Sequence, residues 1–409
     1  CKGLFLDVKR GNIMKLGPDG TILKATHGTR LLSEQEVKEE YGDDMRWDLT
    51  DTVKKNMSNG PSNYEYRFFE NYFDCPGLVA TARIIDLVDK DKKNASLSVN
   101  EKQELYTKAW RDVLDSLHNM YDPHNFSAEK GGYFTIVKED PTQFVEECSA
   151  DIRKWLKSLR EGGKLVFLLT SSQIDYAACL LEVCLGKDWV SYFDISLFHG
   201  RKPGFFSGSN SFYMLENGKE TDKVTELKKN GCYSQGNLVE LNKFFAAQLG
   251  REQFKVLYFG DNICSDCYPS KHFADWGAVL VLEEMDAEGY LCSDGTVPGH
   301  EHDAENGSNG PASKKQKLME HSTLVTDDEI DYLLTDFWGP FLIHPTKDMK
   351  APLQMNTFWG DVISRYSDIA VPSLEYLAGV PVDHEFAVFT GKSGDATGFH
   401  PGRPSSLLP

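Results

Sequence analysis

Between residues 141 and 285 the spacing of apolar positions changes repeatedly, and each change marks an element. Residues 144–159 place Phe144, Ile152, Trp155 and Leu159 on one helical face, and Gly162-Gly163 ends that helix. Residues 164–169 form an apolar run of strand length, followed at once by Thr170-Ser171-Ser172. A helix is predicted at 174–185, a strand at 193–198, a helix at 237–249, and strands at 254–259 and 278–282. Strands alternating with helices predict an α/β fold built on a doubly wound parallel sheet.

The flanks have other patterns. Residues 1–30 read as short strands around turns at Arg10-Gly11-Asn12 and Gly17-Pro18-Asp19-Gly20, a hairpin or meander that starts the core. Residues 31–145 show helical spacing without alternating strands. Leu78, Ala82, Ile85 and Val88 share one face, and Trp110, Val113, Leu114 and Leu117 another. They predict a helical cap over the core at 146–285. Residues 286–325 are polar and linker-like, predicted to be disordered. There His300-Glu301-His302-Asp303 reads as solvated rather than as a metal site, and Lys314-Lys315-Gln316-Lys317 is a basic cluster too weak to read as a nuclear signal. Order is expected again over 326–390, with a helix pair at 358–378 broken near Pro372, and a disordered Gly/Pro/Ser-rich tail at 391–409.

Composition narrows the partners. The 409 residues suffice for two or three domains, and 40% hydrophobic with 26% charged residues describes a globular chain. A net charge of −18 argues against nucleic acid or an anionic membrane as partner, but leaves room for a small anionic substrate in a locally positive pocket. No apolar run approaches membrane-spanning length. Nine cysteines without tight spacing point to free thiols and a reducing compartment, the cytoplasm. Cys264 and Cys267 have C-x-x-C spacing but no second pair, so they read as ordinary thiols. Self-association stays open.

The candidate chemistry lies at strand ends. The run 256–259 stops at Gly260 and presents Asp261, with Asp266 five residues on. In an open α/β sheet ligands bind beyond the carboxyl ends of strands, and two carboxylates there suit a hard cation such as Mg²⁺. Thr170 and Lys202 also stand at or just past strand ends. Hydroxyls that hold phosphate oxygens, a lysine that neutralises charge and carboxylates that position a metal together suit phosphoryl transfer.

The ordered set Thr170-Ser171, Arg201-Lys202-Pro203 and Gly260-Asp261 through Asp266 resembles motifs two, three and four of the haloacid dehalogenase-like phosphohydrolases. With Asn71–Gly77 before a helix and Tyr258–Asp266, the chain is similar to the cytosolic purine 5'-nucleotidase family. The resemblance implies a Rossmann-like core with an inserted helical cap. It also implies Mg²⁺-dependent hydrolysis of a phosphate monoester, such as a nucleoside 5'-monophosphate, through an aspartyl-phosphate. Thr170 and Ser171 would hold phosphoryl oxygens, and Lys202 would stabilise their charge. Asp261 would ligate Mg²⁺, Asp266 would orient the metal's waters or Lys202, and Phe73 and Asp74 would meet the base.

The family's first motif, Asp-x-Asp after a buried strand, is not visible. Asp89-Lys90-Asp91 ends a helical run, and Asp7-Val8-Lys9 has lysine in place of the second carboxylate. The chain starts at Cys1, and the resemblance implies that the nucleophile lies upstream of it, leaving residues 1–409 inactive alone. Two other classes remain: a non-catalytic relative that binds a nucleotide or a protein, and an interaction scaffold.

Overall fold

The computed structural model describes residues 3–57, 65–292, 336–344, 355–392 and 394–407. The charged and metal-like motifs at 300–303 and 314–317 lie outside these residues, as does most of the linker. The α/β architecture expected from the sequence is present, with parallel strands in the core.

The N-terminal strands β1 (Leu4–Asp7), β2 (Asn12–Leu16), β3 (Ile22–His27), β4 (Arg30–Leu31) and β5 (Tyr66–Phe69) form one antiparallel sheet, ordered β4-β3-β2-β1-β5. Strand alternation gives it two apolar faces. Phe5, Met14, Leu16 and Phe68 look into a cluster shared with Ile263, Cys264 and Phe358 of the core. Leu4, Leu6, Ile13 and Phe69 look the other way, onto Leu78, Ala82, Trp110 and Val113. The predicted hairpin is thus the start of a sandwiched layer, and β5 joins it from within the segment expected to be helical.

Residues 31–145 hold helices α1 (Glu34–Tyr41), α2 (Thr50–Lys55), α3 (Cys75–Lys90), α4 (Val99–Met120), α5 (His124–Ala128) and α6 (Gly132–Glu139). Capping boxes open two of them, Ser33 with Glu36 at α1 and Ser98 with Glu101 at α4. Their placement differs from a single lid. Val37, Trp47 and Val53 pack with the first face of the sheet, and α3 with α4 covers its second face. Helices α5 and α6 reach the core helix Ile174–Leu185, where Phe126 and Phe134 meet Tyr176 edge-on.

The core runs α7 (Ala150–Glu161), β6 (Phe167–Leu169), α8 (Ile174–Leu185), β7 (Ile195–Phe198), α9 (Gly204–Ser207), β8 (Phe212–Glu216), β9 (Lys219–Lys223), β10 (Gly231–Gln235), α10 (Leu238–Leu249), β11 (Leu257–Gly260), α11 (Tyr268–Ala274) and β12 (Gly277–Val281). It ends with β13 (Tyr290–Cys292), a helix Phe358–Tyr366, β14 (Ile369–Val371) and β15 (Gly402–Pro404). Strands β8 to β10 escaped the sequence reading; β9 is exposed throughout, so no alternation marks it. The expected helix pair at 358–378 is present as Phe358–Tyr366 and Glu375–Ala378, but the stretch between them holds a buried strand, residues 369–371, parallel to β12. The tail, expected to be disordered, packs instead. Phe399 and Leu407 are buried, Phe399 bridges to Ala370, and β15 pairs with β13.

The parallel strands fall into two hydrogen-bonded blocks. One is β6-β7-β10, extended by antiparallel β8 and β9, and the other is β11-β12-β14. Among the described residues β6 pairs with β7 alone and β11 with β12 alone. Across the seam between them, among the described residues, side chains take the place of ladder hydrogen bonds. Phe167 and Tyr258 stack with centroids 6.2 Å apart, and Leu257 on β11 is 51% exposed. A parallel strand inside a continuous sheet is buried on both faces, so this seam is an open edge on each side.

Candidate active site

Four of the residues singled out in the sequence converge at the carboxyl ends of β6, β7 and β11. Thr170 continues the β6 ladder, its N–H donating to the Leu197 carbonyl at 2.9 Å. Its Oγ1 accepts from the Ser172 N–H at 3.1 Å, and the Ser171 Oγ accepts from the Lys202 N–H at 3.0 Å. Each hydroxyl is therefore oriented by a backbone donor and keeps its own proton free for an anionic oxygen.

The Lys202 loop is bent onto this turn. The Gly200 N–H donates to the Thr170 carbonyl and the His199 N–H to the Ser172 carbonyl, both at 2.8 Å. His199 and Arg201 both have φ 49°, the left-handed region, which costs a residue with a side chain about 1–2 kcal/mol. Such strain persists where surrounding bonds over-determine it. A relay supplies one of them: Arg201 Nε donates to His199 Nε2 at 3.1 Å, and His199 Nδ1 lies 3.2 Å from Glu220.

Lys202 Nζ makes a short ion pair with Asp266 and lies 3.1 Å from the Tyr258 hydroxyl. That hydroxyl is 3.2 Å from Asp266 Oδ1 and 3.3 Å from the Leu169 carbonyl, so it ties β11 to β6 across the open seam. Asp266 is only 3% exposed. Burial pushes its carboxyl up, Lys202 holds it back, and neighbouring Asp261 raises it further. Burial and Asp266 likewise push the Tyr258 phenol up. Asn262 shapes the loop between the two aspartates, its Oδ1 accepting from the Ser265 N–H and hydroxyl at 2.7 and 2.8 Å. Gly260 is required here, because a Cβ would collide with the Asp266 side chain.

Among the described residues no three His, Cys, Asp or Glu gather as a complete metal cage. The donors present nevertheless fit Mg²⁺, which uses one or two carboxylates and completes its shell with water and phosphate. Asp261 is an exposed carboxylate at the strand end, and its charge is felt by both Asp266 and Tyr258.

The two cap residues separate. Phe73 is 59% exposed and lies against Tyr121, with ring centroids 4.6 Å apart. From there Tyr121 meets Tyr133, whose hydroxyl lies 3.2 Å from that of Tyr176 in the first turn of α8. Asp74 is engaged in its own turn, pairing with Arg67 and accepting from the Glu70 N–H at 2.7 Å. The two aspartates weighed as nucleophiles are engaged as well. Asp7 holds Arg10 and the Trp47 indole, and Asp89 holds His27 and Tyr106. The sequence reading overlooked Tyr258 as a site residue; a tyrosine in an apolar strand has a hydroxyl that must find a partner, and that was the signal.

The family model described as the 5' nucleotidase family matches residues 1–336. The chain belongs to the 5' nucleotidase family. It is 33% identical to 5'-nucleotidase domain-containing protein 1 of Homo sapiens over 413 positions, spanning 100% of this chain and 84% of that one. The Bos taurus protein of the same name gives the same identity and coverage. More distantly, 5'-nucleotidase domain-containing protein 2 of Homo sapiens is 23% identical over 292 positions, 70% of this chain and 51% of that one. In this family member Thr170, Ser171, Lys202, Asp261 and Asp266 lie together beyond the carboxyl ends of β6, β7 and β11, while Phe73 sits on the aromatic row that leads to α8.

Proposed function

We propose that this cleft hydrolyses a nucleoside 5'-monophosphate or a related phosphate monoester, with Mg²⁺, through an aspartyl-phosphate whose aspartate lies upstream of Cys1. The observation that carries the reading is the buried contact of Lys202 with Asp266 and Tyr258 beside two hydroxyls with free protons. Thr170 and Ser171 would donate to the phosphoryl oxygens. Lys202, held by Asp266, would neutralise the charge that grows on them. Asp261 would hold the Mg²⁺, which when bound supplies further positive charge at the phosphoryl group. The open seam between β6 and β11 supports the placement of the nucleophile: a strand paired to both edges would end beside Thr170 and Asp261.

A second reading, a non-catalytic nucleotide- or protein-binding relative, draws on the structural bonds that occupy Asp7 and Asp89. One experiment separates the two. Residues 1–409 and an upstream-extended chain are assayed on nucleoside 5'-monophosphates with Mg²⁺, beside Asp261→Asn in each. We expect turnover only in the extended chain, since losing a linked catalytic set removes on the order of 10⁶-fold in rate. Turnover by residues 1–409 well above their Asp261→Asn control would place the nucleophile inside this chain. Mg²⁺-dependent binding without turnover in either would favour the non-catalytic reading.

A further inference from the structure

Cys148 lies where the chain returns from the cap to the core, between the end of α6 and the start of α7. Its N–H donates to the Cys184 carbonyl at 2.9 Å, in the last turn of α8. That backbone bond sets the two cysteines side by side, as a disulfide requires. Both side chains pack against the same apolar cluster around Leu185, Trp189 and Phe198, and both residues are half-buried rather than sealed off.

The surroundings favour reaction at one of the two. Arg153 Nη2 donates to the Cys184 carbonyl at 3.1 Å and pairs with Glu147 at 2.6 Å, which fixes the guanidinium beside the pair. Hydrogen bonding from Cys184, aided by Arg153, lowers the Cys148 thiol to about 7, while the same shared proton pushes Cys184 up. A thiol held below its ordinary range, partly exposed and beside a second thiol, is the arrangement of a redox-sensitive cysteine.

We propose that Cys148 and Cys184 form a reversible disulfide under a peroxide-class oxidant, and that the bond fastens the cap's return linker to α8. The Cys148 thiolate attacks one peroxide oxygen and breaks the O–O bond, giving a sulfenic acid and a hydroxide that takes up a proton to leave as water. The Cys184 sulfur then attacks the sulfenic sulfur. Its S–S bond forms as the S–O bond breaks, and hydroxide leaves with the Cys184 proton as a second water. Two thiols lose two electrons in all, and one hydrogen peroxide becomes two waters. A thiol reductant reverses the step by exchange.

The position gives the bond a consequence. Helix α8 starts just after the Thr170-Ser171-Ser172 turn, and its first turn carries Tyr176 against Phe126, Tyr133 and Phe134 of the cap. A disulfide at the other end of α8 ties the linker at residues 140–149 to the helix that touches both cap and phosphate turn. Closing a loop of 37 residues, both cysteines included, also constrains the unfolded chain.

The test uses the whole chain of 409 residues. It is treated with hydrogen peroxide, free thiols are blocked, and peptides are mapped by mass spectrometry, with amide hydrogen exchange read over residues 140–149 in parallel. We expect a cross-linked peptide joining Cys148 to Cys184, absent in Cys148→Ser and Cys184→Ser, present in Cys179→Ser, and lost on adding dithiothreitol. Exchange over 140–149 should slow in the oxidised wild type and not in the two pair variants. No cross-link at a peroxide dose that oxidises other cysteines would overturn the pairing. A cross-link that leaves the exchange rate unchanged would overturn the locking role. Each variant's reduced-state exchange pattern shows whether it is folded, and either single variant suffices for the comparison.

Discussion

Lys202 and Asp266 neutralise one another in a place that water hardly reaches, so removing one leaves the other exposed to the full cost of burial. Replacing Lys202 by Met should cost about 3–5 kcal/mol, the range seen when one partner of a buried ion pair is lost. Urea unfolding at pH 7 checks this, and a loss below 1 kcal/mol would mean that solvent reaches Asp266 after all. Glu70 presents the opposite case, a buried carboxyl with neither oxygen in a conventional hydrogen bond. It lies against Cys264, under the loop that carries Asp261 and Asp266, and burial raises it from 4.5 to about 7. Its folded value lies above its unfolded one, so the folded state holds the proton more tightly. Stability is therefore highest below pH 4.5 as far as this group is concerned, and falls as pH rises through the window up to about 7. The drop is about 3 kcal/mol. Glu70→Gln should flatten that slope and be more stable than wild type at pH 8, with the two nearly equal at pH 5. Denaturation midpoints at both pH values decide it, and parallel slopes for the two proteins would acquit Glu70.

At the scale of elements, the C-terminal tail shows how composition misleads. Gly, Pro and Ser suggested a chain without structure, yet the segment contributes Phe399 and Leu407 to the core and lies parallel to β14. Sparse apolar residues suffice when each enters a prepared gap, and one-dimensional composition does not register gaps. Deleting residues 395–407 should lower stability by about 3–6 kcal/mol, from two large side chains returned to water. A thermal midpoint unchanged by the deletion would contradict the packing. The strand β14 was misread for a related reason: a three-residue apolar run beside a helix continues the helical pattern as readily as it starts a strand. By contrast α8 matched its predicted bounds, because Gln173 precedes a sustained apolar run and Gly186, at φ 92°, ends it.

On the scale of the whole molecule, a net charge of −18 repels itself most in the compact state. Raising salt from about 0.01 M to 0.15 M shortens the screening length from about 30 Å to 8 Å, and should raise the thermal midpoint. A midpoint that falls with salt would show that attractive pairs such as Lys271 with Asp368 outweigh the repulsion. The amino-acid sequence alone determined α7, β6, α8, β7, α10, β11 and β12 in their order, because burial on a helix face or in a strand imposes a local period. It also placed Thr170, Lys202, Asp261 and Asp266 at strand ends, since turn residues follow apolar runs at once. Their convergence was legible only in part. The bond from Tyr258 to Leu169, the strained turn at His199 and Arg201, and the meeting of Cys148 with Cys184 each join residues far apart in the chain or depend on loop geometry. The same holds for the split of the parallel strands into two blocks and for the sandwiched N-terminal sheet. Strand pairing and side-chain contact depend on which edges come to face each other in space, and periodicity along one segment carries no information about its neighbour.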